Sequence, residues 1–292
     1  MDIIFHVGAH HTDGGALLRS LLKNGETLMR WNVAVPGPSR YRKTIGTMVN
    51  RLRGEVPTAD AHAALMEALV DGDFPERIVL SSDSFICVQD RVVEDGRLYG
   101  RAHKTRWLRN LFPNDEVAFA IGLRNPAALL SSLWRDIRLG GGTYQSFLGK
   151  TDPRFLRWSD LILRIREENP ECPVVVWCTE DTPFVWPEVM HILTGIPKSS
   201  RLDGEHDMLS RVMQRAGMIL YHQALEANPK MSTGRRRAVA MDLLDTYAAV
   251  EQVDVEIDLP GWDADLVDEI SREYDRDIAR VREIPGVVVI EP

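Results

Sequence analysis

Asp2-Ile3-Ile4-Phe5-His6-Val7-Gly8-Ala9-His10-His11-Thr12-Asp13-Gly14-Gly15-Ala16-Leu17-Leu18-Arg19-Ser20-Leu21-Leu22 stands at the start of the sequence and governs the reading of the rest. Residues 3–7 form a short apolar run that stops at Gly8, the pattern of a strand buried on both faces of a sheet. Leucines at 17, 18, 21 and 22 share one helical face, so Ala16–Leu22 reads as a helix packed on that sheet. Strand, glycine-bearing turn and helix therefore follow one another directly.

The same alternation continues along the chain. Residues 61–69 read as a helix, and Arg77-Ile78-Val79-Leu80-Ser81-Ser82 returns to a strand. Residues 105–112 form an amphipathic helix that stops at Pro113-Asn114. Glu116–Leu123 is a near-continuous apolar strand, punctuated by Arg124-Asn125-Pro126 and followed by a helix over 127–135, with Pro126 suited to its first turn. Trp158–Glu168 reads as a helix, residues 173–178 as a buried strand, and 185–194 as a helix closed by Gly195 and Pro197. Helices over 235–250 and 263–282 and a short Val287-Val288-Val289-Ile290 segment complete the pattern. The expected architecture is an α/β fold with a central, mostly parallel sheet, in one domain spanning 1–292 and with a helical portion from about residue 200.

Composition narrows the function. The 292 residues are 44% apolar and 27% charged, an ordinary globular balance that can bury a core without disulfides. Forty-three acidic against 35 basic side chains leave a formal charge of -8, which disfavours broad adhesion to nucleic acid but leaves room for a local basic pocket around a small anion. Cys87, Cys172 and Cys178 are odd in number and lack close metal-ligand spacing, so they read as buried thiols of a reducing compartment. The amino terminus lacks a signal-like basic flank, and no apolar run approaches the ~20 residues of a membrane span. A cytoplasmic location is expected, and a homodimer is the general expectation for any oligomer.

Two constellations suggest chemistry. Gly8-Ala9-His10-His11-Thr12-Asp13-Gly14-Gly15 joins strand to helix, where unpaired backbone N–H groups can cradle a phosphate or sulfate. Thr12 and either histidine can add donors. The run departs from G-x-x-x-x-G-K-[ST], with Asp13 at the second glycine and no lysine after it, which counts against a kinase of the P-loop type. The other reading is a plain strand–helix turn. Arg124, at the carboxyl end of its strand, can meet Ser132 eight residues later, and its planar fork suits a phosphate. Alternatively, both are ordinary surface groups.

Together these units resemble the sulfotransferase family, whose P-loop-like, three-layer α/β members use 3'-phosphoadenosine 5'-phosphosulfate, or PAPS. The family's phosphosulfate loop, G-x-x-K-T-G-T-T, is similar to residues 8–15: Gly8 and Thr12 match, His11 stands at the lysine, Asp13 at the next glycine, and Gly14-Gly15 at the threonine pair. Its 3'-phosphate element, a strand, an R-[DN]-P turn and a serine-bearing helix, resembles residues 120–134 with Arg124 and Ser132. Residues 77–83 and 175–181 resemble further strands of bacterial members, and the likeness spans roughly 3 to 195.

The resemblance implies sulfonate transfer from PAPS to an as yet unidentified acceptor hydroxyl or amine, with no metal. It places Gly8, Ala9, His10, His11, Thr12, Asp13, Gly14, Gly15, Arg124 and Ser132 on the nucleotide, and His11 in the charge-neutralising role of the missing lysine. Asp83, at a strand exit, is the candidate general base or else a turn-capping carboxylate; His10 and His103 are alternatives. Ser232-Thr233-Gly234-Arg235-Arg236-Arg237 offers Arg235 as part of a basic lid, or else a solvated helix flank. The basic stretch within 30–60 is likewise a cover or a solvated surface. Trp134, Tyr144, Phe147, Phe155 and Trp158 line an acceptor cleft or fill the core. The departures at 11, 13, 14 and 15 keep a second function open: a nucleotide-binding protein without transferase activity.

Overall fold

The computed structural model describes residues 1–72, 74–249 and 257–292. A six-stranded sheet is built from β1 (Asp2–His6), β2 (Val33–Ala34), β3 (Arg77–Ser81), β6 (Glu116–Leu123), β7 (Val174–Cys178) and β8 (Val287–Ile290), in the order β2-β3-β1-β6-β7-β8. Every neighbouring pair in it is parallel. A small antiparallel hairpin, β4 (Val93–Glu94) with β5 (Arg97–Leu98), lies apart from it. The helices are α1 (Ala16–Leu22), α2 (Gly25–Arg30), α3 (Pro38–Leu52), α4 (Ala59–Leu69), α5 (Lys104–Arg109), α6 (Pro126–Leu139), α7 (Tyr144–Phe147), α8 (Trp158–Glu168) and α9 (Thr182–Thr194). After them come α10 (Leu209–Val212), α11 (Arg215–Ala227), α12 (Thr233–Tyr247) and α13 (Ala264–Arg282).

Successive strand side chains point to opposite faces, and β1 shows how this makes three layers. Ile3 and Phe5 enter one apolar core with residues of α3, α4, α5, α6, α8 and α13. Ile4 enters a second core with α1, α2 and α9. The α/β expectation is met, and α1 has the expected bounds. Residues 209–247 add a small cluster of their own around Leu209, Met213, Met218, Tyr221 and Ala240. Val250, the expected end of the helix now seen as α12, lies outside the described residues.

The strand order positions the site. β1 pairs with β3 on one side and β6 on the other, so the chain fills one half of the sheet before crossing to the other. The exits of β1 and β6 flank this switch point, where open α/β sheets form their binding crevice. Pairing also runs beyond the regular strand: Gly122 N–H donates to Gly8 O at 2.8 Å and Ala9 N–H to Gly122 O at 3.2 Å. At Gly122 a side chain would come within 3.2 Å of both Thr12 Cβ and Trp177 Nε1, so glycine lets the turn rest directly on β6.

Candidate functional site

The turn after β1 is pinned from both neighbouring strands. Gly8 has φ 111°, outside the range of ordinary side chains, and a Cβ there would meet Asp83 Cα at 3.2 Å. Asp83, exposed at the exit of β3, thereby has its backbone against the turn, and its Oδ1 accepts from Ser84 Oγ at 3.1 Å. On the other side, Arg124 Nη1 donates to His11 O at 2.7 Å and to Ser132 Oγ at 3.1 Å. The two separated constellations converge, and the Arg124–Ser132 pair forms.

The backbone amides divide into two sets. Ala9 N–H is spent on Gly122, and His10 N–H on the hydroxyl of Tyr99 at 2.8 Å. Gly15 N–H and Leu17 N–H go to Asp13 Oδ1 and Oδ2 at 3.0 and 2.8 Å, while Ala16 N–H goes to Asp13 O at 3.1 Å. The N–H groups of His11, Thr12, Asp13 and Gly14 make no hydrogen bond to protein among the described residues. With φ of 56° at both His11 and Gly14 and 75° at Gly15, this stretch takes left-handed backbone at three positions, two of them glycines.

Three sequence expectations are thereby modified. The free donors are the amides of 11–14, whereas those of Ala9, His10 and Gly15 are engaged. Thr12 Oγ1 donates to Ala9 O at 2.7 Å, so its hydroxyl proton braces the turn instead of facing a ligand. Asp13, placed on the nucleotide by the resemblance, turns its carboxylate onto the start of α1 and caps it; Arg211 Nη1 donates to its carbonyl at 2.9 Å. Asp13→Ala removes this cap, and urea unfolding is expected to show a loss of about 1–2 kcal/mol, with Asp13→Asn losing less.

His10 is buried, and Tyr99 reaches it from 89 residues away. The Tyr99 oxygen accepts the His10 amide proton at 2.8 Å and lies 2.9 Å from His10 Nδ1, which holds the imidazole against the turn. Tyr99 itself is fully buried with φ 49°, a costly backbone for an aromatic residue, held so that its hydroxyl meets the turn. Burial pushes the His6, His10 and His11 pKa values down, and Asp13, Asp83 and Asp136 respectively oppose the shift. His11 Nε2 lies 3.4 Å from Asp136 Oδ2. His6 Nδ1 meets Ser81 Oγ at 2.9 Å, and its Nε2 is buried without a partner.

The Arg124 turn is held rigidly. Asn125 caps α6 through Ala127 N–H, Glu180 Oε1 accepts Asn125 N–H at 2.8 Å, and Tyr274 donates to Glu180 Oε2 at 3.0 Å. Trp158 Nε1 donates to Arg124 O at 2.8 Å. Burial lowers the Arg124 pKa while Glu180 opposes it, yet Arg124 makes no ion pair among the described residues. The role of Glu180 as a brace depends on β7 lying beside β6. Arg42, noted only as part of a basic stretch, places Nε 3.0 Å from Ser81 O at the end of β3.

Other expectations are placed elsewhere. His103 packs edge-on against Trp107 and is influenced by Glu168, at the far end of α8 from Trp158. No hydrogen bond or ion pair among the described residues joins the His103 side chain to residues 8–15, Arg124 or Ser132. Arg235 is exposed and lines a groove with Ala224, Asn228 and Val239, in which no residue of 8–15 and neither Arg124 nor Ser132 takes part. Trp134, Phe147 and Trp158 are core residues, while Phe155 is exposed. Cys87 and Cys172 are buried and Cys178 half-buried, all as free thiols. No described helix is long and apolar enough to cross a membrane, and no three metal-ligating side chains converge among the described residues.

Fold and site thus define an α/β protein with helices on both sheet faces, whose β1 and β6 exit turns meet at the switch point. No family model matches the chain, and no curated protein matches it. Among solved structures it is similar to a sulfotransferase from Alicyclobacillus acidocaldarius, at 12% identity and a TM-score of 0.43, over 83% of this chain and 95% of that one.

Proposed function

We propose that the chain binds PAPS and transfers its sulfonate to an acceptor hydroxyl or amine. The observation that carries this is Arg124: half-buried, without an ion pair among the described residues, bonded to Ser132, and set beside four unengaged amides. A cation withdrawn from water is costly until an anion completes it. The motif likeness over roughly residues 3 to 195 supplies the nucleotide's identity.

In this reading the amides of 11–14 hold the 5'-phosphosulfate, and Arg124 with Ser132 holds the 3'-phosphate. The acceptor atom bonds to sulfur as the bond from sulfur to the 5'-phosphate oxygen breaks; that oxygen keeps the electron pair, and Asp83 takes the acceptor proton. The amides and His11 oppose the charge that develops on the leaving phosphate. An anion beside His11 favours its protonated form, so binding takes up a proton and tightens as pH falls through the histidine range.

Calorimetry is expected to show PAPS and 3'-phosphoadenosine 5'-phosphate binding more tightly than ATP, with a pH dependence that His11→Gln flattens. Mass spectrometry of an acceptor panel then reads sulfonated product. Absence of nucleotide binding by the intact chain removes the proposal. Binding without any product favours the second reading, a nucleotide-binding protein without transfer. Its specific support is that no lysine stands at position 11 and that burial keeps His11 uncharged in the free protein.

A further inference from the structure

A cavity of about 90 Å³ lies between α9, α11 and α12 and is lined by no residue of the turns after β1, β3 or β6. Most polar groups around it are already paired. His191 and Glu205 meet at 3.2 Å, His191 Nδ1 donates to Ile196 O, and Leu202 N–H donates to the same Glu205 oxygen. Arg237 donates to Phe184 O at 3.1 Å and forms an ion pair with Glu188 Oε1 at 2.9 Å.

Two groups are left over, and their charges are opposite. Glu188 is 8% exposed, and its Oε2 is buried without any hydrogen-bond partner. Lys198 stands 4.0 Å from the other oxygen, Oε1. Arg236 makes one described bond, from Nε to Met231 O at 3.0 Å, and no described ion pair, so the rest of its guanidinium fork is unengaged. His206 and Tyr221, in edge-to-face contact at 5.2 Å, wall the space between α9 and α11; burial pushes His206 down to about 4, so it adds no charge at neutral pH. An unmet buried carboxylate oxygen is a defect unless a donor fills the site. Its volume matches about three waters at ~30 Å³ each, room for a molecule of only a few heavy atoms, glycine being the smallest of the obvious fits.

We propose that this cavity binds a small zwitterion, whose ammonium donates to Glu188 Oε2 and whose carboxylate is taken by Arg236. A primary ammonium answers the orphan acceptor, and a carboxylate matches the planar fork. This site is independent of the nucleotide reading, since it shares no lining residue with that turn region.

The test is calorimetry with glycine, β-alanine and γ-aminobutyrate, which space the two charges progressively further apart. One of them is expected to saturate the site, while ethylammonium and propionate, each carrying a single charge, bind at least about tenfold more weakly. Glu188→Gln and Arg236→Gln are each expected to weaken the best ligand about tenfold or more. Circular dichroism confirms folding, and if Glu188→Gln unfolds, the partly exposed Arg236→Gln decides. No saturable binding by any of the three, equal binding by the single-charge halves, or wild-type affinity in folded Arg236→Gln overturns the proposal and leaves a water-filled cavity.

Discussion

If the proposed nucleotide site is right, Arg124→Ala is expected to lower the affinity for 3'-phosphoadenosine 5'-phosphate by at least about a hundredfold, with the protein still folded. A charge-assisted hydrogen bond contributes about 1.5–3 kcal/mol, and a bidentate phosphate contact has two of them. The substitution also frees His11 O, whose bond to Arg124 Nη1 holds the four open amides in position. Stability behaves differently. Arg124 is a desolvated cation without a described ion pair, so its removal relieves an electrostatic cost as it deletes two hydrogen bonds. Arg124→Lys keeps the charge but not the fork, and recovers only part of the affinity. Calorimetry beside thermal melting separates the two effects. Parental affinity in the alanine variant would remove Arg124 from the site.

Asp277→Ala is expected to cost about 3 kcal/mol in urea unfolding, with an unchanged slope. Asp277 is 1% exposed on α13, and its carboxylate accepts Trp158 N–H at 2.6 Å, Ser159 N–H at 3.1 Å and the Ser159 hydroxyl. The residue before α8, Arg157, offers no side-chain cap, so the cap comes from 119 residues away. Alanine leaves these donors buried without an acceptor, each a penalty of about 1–3 kcal/mol in isolation, softened where water reaches them. Because Trp158 Nε1 holds Arg124 O, nucleotide affinity is expected to fall as well. Asp277→Asn retains one acceptor oxygen and falls between the two. A variant with an unchanged urea midpoint would refute the capping role.

Much of this organisation could be read from the residues, because its signals are local. The apolar run before Gly8, the paired leucines of α1, and Pro126 with Asn125 at the start of α6 each act within a few positions. The Arg124–Ser132 contact was accessible for the same reason: a turn and two helical windings span it. Tyr99 under His10, Glu180 behind Asn125 and Asp277 at α8 were not accessible, since each joins positions 55 to 119 residues apart through sheet order alone. Asp13 is different. Its preference for helix starts was visible in the sequence, and only the expectation of a glycine there obscured it. Arg235 shows a limit of charge runs. Consecutive helical residues diverge by about 100°, so three arginines cannot act as one group; Arg235 faces one groove, while Arg236 and Arg237 border another cavity.

The sheet's outermost strands have a consequence for self-association. β2 contributes two residues and β8 four, so little unpaired backbone is exposed at either margin. Short borders of this kind discourage the strand-by-strand growth that leads to fibres. Any second copy of the chain is therefore expected to dock on helical surfaces and not to extend the parallel sheet.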